Sequence, residues 1–325
     1  MDTHPDTDGP ARGRSRIAVI DIGTVTTRLL VADADGASVD EVVRRTAVTH
    51  LGEGLHASGR LSEAGIERVA ASVGVFVDEA ERLGAESLLA IATSAARDAS
   101  NGRAFVERIE REGVRPRIIP GATEARLSFS GATYRLDDDD ILVADLGGGS
   151  TELVFGSAHD TAEGREIEID AARSLDVGSS RVLDMFLASD PPKAGELEAA
   201  SAWVTDEMRP FFDALRSRPR TLITLAGTGT TLSAVRQELA VYDPERVHLS
   251  RLTGGDVADL LGRLAAMPLE VRRGVVGMDP ARADVIVAGA LILETIMALA
   301  GVDSTVVSEH DILYGLVLAE AQRME

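Results

Sequence analysis

The chain has 325 residues, enough for two domains of ordinary size, and 45% of them are hydrophobic. A formal net charge of −20, from 53 acidic and 33 basic residues, and an aromatic content of 3% exclude a general nucleic-acid binder, which needs a basic field and stacking rings. The absence of cysteine excludes disulfides, thiolate metal sites and a cysteine nucleophile.

In chain order, the polar stretch over residues 1–15 reads as a disordered tail with no apolar core of a signal peptide. Arg16 to Ile22 is the first expected strand, Arg28 to Ala32 its hairpin partner and Val39 to Val48 a third strand. Leu61 to Leu83 has helical spacing, opened by Ser62 as N-cap with Glu63 and Glu67 in the first turns. Ser87 to Ala92 is a short strand. Ala92 to Asn101 is expected as a loop rich in hydroxyls around Arg97 and Asp98. A helix from Gly102 to Arg111, a strand over Arg115 to Ile119, and a helix holding Glu124 after the Pro120–Gly121 break complete the first half. The four acids Asp137 to Asp140 read as a solvated linker, and the domain boundary is placed there.

The second half opens on Ile141 to Glu152, I-L-V-A-D-L-G-G-G-S-T-E. A buried strand ends in Asp145. Gly147, Gly148 and Gly149 then permit a tight turn whose N–H groups approach an anion with no Cβ in the way, followed by Ser150 and Thr151. Asp145 can hold a divalent cation. The first hairpin repeats the scheme with Asp21, Gly23, Thr24 and Thr26, so Asp21 is the parallel metal candidate. Two such hairpins imply two similar domains facing each other across one cleft. Further on, Glu166 to Ile169 is expected as a strand. Asp176 to Ala188 and Lys193 to Leu215 are expected as helices. Thr221 to Leu225 is a strand, with A-G-T-G-T-T (226–231) as a loop before a helix through Leu239. Helices over Gly254 to Met267 and Ala281 to Ala300, a strand over Ser304 to Val307 and a final helix to Met324 close the chain. Strands alternating with helices give an α/β fold with sheets covered on both sides. No apolar run approaches the ~20 residues that span a bilayer, so a cytoplasmic protein is expected.

Six motifs occur in order: D-I-G-T, A-T-S-A-x-R-D-A-x-N, G-x-x-E-A, D-L-G-G-G-S-T-E, A-G-T-x-T-T and P-A-R-A-D-V-I-V-x-G. Together they resemble the exopolyphosphatase / guanosine pentaphosphate phosphohydrolase family, in its short two-domain form, within the actin-like ATPase superfamily. The resemblance implies an α/β fold of two actin-like (ribonuclease H-like) domains, 16–136 and 137–325, with the final helix able to pack back on the first. It implies hydrolysis of the terminal phosphoryl group of inorganic polyphosphate, with short chains favoured, or of the 5′-phosphate of guanosine pentaphosphate (pppGpp). Mg²⁺ is the implied cofactor, with Mn²⁺ as substitute. Partners are the phosphorylated substrate and a second copy of the chain, with neither nucleic acid nor membrane. A catalytically silent sensor of such ligands is the alternative of another class.

The resemblance assigns Glu124 to activating the attacking water and gives Glu152 to the metal shell or to water positioning. The expected phosphate donors are Gly23, Thr24, Thr26, Gly147, Gly148, Gly149, Ser150 and Thr151, with Arg97 as a clamp on neighbouring phosphates and Arg28 as a further contact. Gly227 and Thr228, with Gly229 and Thr230, resemble the adenosine-side loop of the superfamily, serving a distal phosphate or a tight turn. Arg282, after Pro280, and His310 read as helix-start and loop residues. One position departs from the family pattern: Val25 stands where an amide side chain usually does, which points to weaker affinity or a shifted substrate range.

Overall fold

The computed structural model describes residues 13–161 and 164–324; most of the expected tail lies outside them. Ser15 already belongs to a strand, and Arg14 beside it pairs with Asp40. By packing, the chain divides into two units. One holds the segment to Tyr134 and the C-terminal segment from Ile312; the other holds most of residues 135–311.

The first unit contains strands β1 (Ser15–Ile22), β2 (Thr26–Ala34) and β3 (Val39–Val48), the short helix α1 (Leu55–Ser58) and helix α2 (Glu63–Arg82). It continues through β4 (Ser87–Ala92), α3 (Ser94–Asp98), α4 (Gly102–Ile109), β5 (Arg117–Ile118) and α5 (Gly121–Ala132). The second contains β6 (Asp138–Leu146), β7 (Thr151–Thr161), β8 (Gly164–Leu175), α6 (Ser179–Phe186), α7 (Ala194–Asp213), β9 (Thr221–Leu225) and α8 (Ala226–Arg236). After these come α9 (Pro244–Val247), β10 (Arg251–Thr253), α10 (Gly254–Ala265), α11 (Leu269–Arg272), α12 (Ile286–Ala300) and β11 (Ser304–Val307). The last helix, α13 (Ile312–Met324), belongs to the first unit, where it packs on α5, β1 and β2.

The two sheets repeat one plan. Their orders are β3-β2-β1-β4-β5 and β8-β7-β6-β9-β11-β10. In each, an antiparallel hairpin lies at one side of a parallel pair, β1 with β4 and β6 with β9. In β1 the alternation of side chains decides the core. Ala18, Ile20 and Ile22 point to the face covered by α2 and α4, and Ile17 and Val19 to the face covered by α13. The second core gathers Leu142, Ala144, Leu153 and Phe155 with the apolar faces of α7, α8, α10 and α12.

Several elements correct the sequence reading. Asp138–Asp140 is the start of β6, not a linker. The acids are tolerated because polar groups meet them: His159 on β7 contacts both Asp137 and Asp139, Thr221 donates to Asp138, and Ser217 to Asp140. A bulge between Asp138 and Ile141 absorbs the irregularity. Ser94–Asp98 is a helical turn, not a loop, and residues 226–231 are the first turns of α8 instead of a loop before it. Residues 280–282 form a separate 3-10 turn, so α12 begins at Ile286. Ser62 does cap α2, accepting from the Gly65 N–H.

Candidate active site

Both hairpins carry the same four-residue loop. Gly23 N–H donates to the Thr26 carbonyl at 2.9 Å, and Gly147 N–H to the Ser150 carbonyl at 3.0 Å. These two amides close their turns, which removes Gly23 and Gly147 from the expected N–H donors to phosphate. The loop carbonyls are also taken, and from behind. Gly147 O accepts from Ser179 N–H at 3.0 Å, Gly148 O from Ser180 N–H at 2.9 Å, and Gly149 O from the Arg181 guanidinium at 3.1 Å. In a planar trans peptide the C=O and the following N–H point opposite ways. Fixing these carbonyls on the N-terminus of α6 therefore turns the N–H groups of Gly148, Gly149 and Ser150 to the other side.

The first loop is braced alike. Gly52 N–H binds the Thr24 carbonyl at 2.9 Å, while Thr49 and His50 N–H groups share that of Val25 at 2.8 and 2.9 Å. The Val25 and Thr26 amides are turned outward by the same rule. Val25 itself is buried, at 7% exposure. The segments Thr49–Gly52 and Gly178–Arg181 escaped sequence reasoning, because nothing in Thr-His-Leu-Gly or Gly-Ser-Ser-Arg says which distant loop each packs against. Their signal is a glycine. A Cβ on Gly178 would lie 2.3 Å from Gly148 O, so no other residue lets α6 seat against this loop without movement.

The acids at the two strand ends face different partners. Asp145 and Glu152 are directly opposite in the β6–β7 ladder, with side chains on one face, and both are buried at 8% and 2% exposure. In β1–β2 the corresponding pair is Asp21 and Arg28, joined by an ion pair of 2.6 Å. Two like charges opposed in a strand pair cost stability, and a divalent cation between hard oxygen donors removes that cost. The donor set of Asp145 and Glu152 thus fits Mg²⁺. Asp21 has a guanidinium in the place of the second acid, and Arg28 is held by Asp21. Thr151, fully buried, donates its hydroxyl to the Val177 carbonyl at 2.5 Å.

Also within the first unit, the ends of β1, β4 and β5 lie side by side, so the elements that follow them share one edge of the sheet. Glu124 sits in the first turn of α5, where the helix dipole favours a carboxylate. Arg97, from α3, donates Nη1 to Glu124 Oε2 at 3.0 Å and to the Ile119 carbonyl at 3.3 Å, while Asp98 is 3.9 Å away. The two residues expected as clamp and base are therefore paired with each other.

At the start of α8, the Arg282 guanidinium lies where a Cβ on Gly227 would be, 1.5 Å from that position. Thr228, nearly buried, faces Gly289 of α12. Gly227 so provides close packing for an arginine at a helix N-terminus. His310 stacks on His248 with ring centroids 4.1 Å apart. Among the described residues no helix is long and apolar enough to cross a membrane.

The sequence profile of the Ppx/GppA phosphatase family matches residues 30–320. The chain belongs to that family. It is accordingly an enzyme, a hydrolase of phosphoric anhydrides. Among relatives, it is 38% identical to Exopolyphosphatase 2 of Mycobacterium tuberculosis, over 94% of this chain and 99% of the relative. A solved exopolyphosphatase-like protein superposes with a TM-score of 0.90 at 34% identity, covering 96% of this chain and 99% of that one. The Aquifex aeolicus member of the Ppx/GppA family gives 0.79 at 28% identity, over 96% and 99%. These likenesses carry the Ppx/GppA fold, two sheets of one plan in an α/β chain.

Proposed function

We propose that this family member is an exopolyphosphatase that hydrolyses the terminal phosphoryl group of inorganic polyphosphate in a Mg²⁺-dependent reaction, Mn²⁺ being the alternative ion. The observation that carries the reading is the β6–β7 hairpin, where outward loop amides and an opposed pair of buried carboxylates occur together. The name of the M. tuberculosis relative supports the same substrate.

The chemistry follows from what each group can do. Phosphoryl transfer to water needs an oriented nucleophile and charge stabilisation more than covalent help. Glu124 takes the proton of the attacking water. Arg97 binds phosphate oxygens along the chain, leaving Glu124 as it does so, and a planar guanidinium can grip two oxygens at once. The amides of Gly148, Gly149 and Ser150 donate to the phosphoryl oxygens. Asp145 and Glu152 would hold Mg²⁺, which when bound supplies positive charge against those oxygens.

The test is orthophosphate release from polyphosphates of graded length, from pppGpp and from a monophosphate ester, each with and without Mg²⁺. Release from polyphosphate that requires Mg²⁺ and exceeds release from pppGpp supports the reading. Preference for pppGpp reassigns the substrate, and binding of either without release makes the protein a sensor.

A further inference from the structure

Glu152 lies in β7 between two neighbours of different character. On the β6 side stands Asp145, in register and of like charge. On the β8 side stands Ser174, whose Oγ donates to Glu152 Oε1 at 2.7 Å. Glu152 is 2% exposed and Ser174 is half-buried. A hydroxyl donating to a buried carboxylate at this length is a charge-assisted bond, about twice as strong as a neutral one. The last torsion of a glutamate is broad and roughly two-fold, so packing alone does not choose which oxygen points where. The bond to Ser174 favours one orientation. It draws Oε1 toward β8.

We infer that Ser174 is a positioning residue for Glu152, holding the carboxylate in the orientation that the Asp145–Glu152 pair needs to bind Mg²⁺. The inference rests on the role given to Glu152 in the proposed reaction. Sequence reasoning passes over Ser174, since it lies outside the glycine-rich motif, 22 positions beyond its partner. Only the pairing of β7 with β8 brings them together. Outer hydrogen bonds to metal-binding carboxylates typically govern affinity or turnover by about 10–100-fold.

The experiment compares wild type, Ser174→Ala, Ser174→Thr and Glu152→Gln as full-length chains. Two quantities are read: steady-state polyphosphate hydrolysis, and the Mg²⁺ concentration giving half of the thermal stabilisation seen with Mg²⁺ alone. Ser174→Ala should lower kcat by ~10–100-fold with KM changed less than about threefold, and should raise the Mg²⁺ midpoint by about tenfold. Ser174→Thr keeps a hydroxyl on a residue well suited to a strand and should lie within about threefold of wild type in both. If Ser174→Ala keeps both quantities within about threefold of wild type, or if Ser174→Thr fails to restore them, the positioning role is overturned. Glu152→Gln separates the two levels. An active Glu152→Gln enzyme overturns the role of Glu152 itself, whereas an inactive one beside an unaffected Ser174→Ala overturns only the inference about Ser174.

Discussion

Replacing Gly178 by alanine probes whether the bracing of the glycine loop from behind matters for catalysis. Gly178 has φ −136° and ψ 161°, a conformation open to alanine, so the substitution adds a contact without backbone strain. The added Cβ would lie 2.3 Å from Gly148 O and 2.5 Å from the carbonyl carbons of Gly148 and Gly149. Close carbon–oxygen contacts settle near ~3.3 Å, so the loop and the start of α6 must separate by roughly 1 Å. Overpacking of that kind costs about 1–3 kcal/mol of stability. If the loop binds phosphate as proposed, a displacement of about 1 Å there costs ~10²-fold in rate, because its amides would no longer meet the phosphoryl oxygens. The assay is kcat/KM for polyphosphate beside a melting curve, with Gly195→Ala as control, since a Cβ there meets nothing within 4 Å. Gly178→Ala should lose ~10²-fold in kcat/KM while staying folded, and Gly195→Ala should match wild type. A folded Gly178→Ala enzyme of wild-type activity would refute the link between loop position and turnover.

Three further outcomes are expected. Asp145→Asn removes one of two opposed carboxylates and should raise the Mg²⁺ requirement by about tenfold or more, read from activity against Mg²⁺ concentration; an unchanged requirement makes Asp145 structural. Arg97→Ala removes a guanidinium bonded to Glu124, and a charge-assisted bond of ~1.5–3 kcal/mol corresponds to a ~10–100-fold rise in KM for polyphosphate, with a flatter salt dependence; unchanged KM and salt slope would make α3 a structural turn. The Asp137 and Asp139 carboxylates hold the pKa of His159 above its ordinary value. The charged imidazole therefore favours the folded state below the ordinary value, and this contribution is lost as pH rises through the raised one. The melting-temperature difference between wild type and His159→Ala should accordingly be larger near ~pH 6 than near ~pH 9, and a difference independent of pH would rule out that pairing.

Much of the fold was legible because it rests on period. The continuous apolar run of Ile17, Ala18, Val19 and Ile20 announces a strand buried on both faces, and Ser62 with its helical spacing announces α2. The repeat of Asp, Gly and hydroxyls at residues 21–27 and 145–151 announced two hairpins of one kind, and they close with the same hydrogen bond. What was not legible depends on pairing between distant strands. Asp137–Asp140 looks like a linker because runs of acids rarely enter a strand, whereas in the fold His159, Ser217 and Thr221 meet these acids with polar groups. The glycines of 226–231 looked like a loop, whereas one of them serves close packing by Arg282 inside a helix. The difference between Asp21 and Asp145 was hidden in the same way: register alone sets an arginine against one and a glutamate against the other. Gly23 and Gly147 were rightly placed at the loops, but their amides close the turns and the outward donors come one to three residues later.

Glu124 is proposed to take the proton from water during release of the terminal phosphate. Glu124→Gln tests it most directly, because the amide keeps the shape and the place at the start of α5 but cannot accept that proton. Orthophosphate release from polyphosphate should fall by ~10²–10⁴-fold while the affinity for polyphosphate changes only a few-fold. A Glu124→Gln enzyme that keeps more than about a tenth of the wild-type kcat would remove Glu124 from that role.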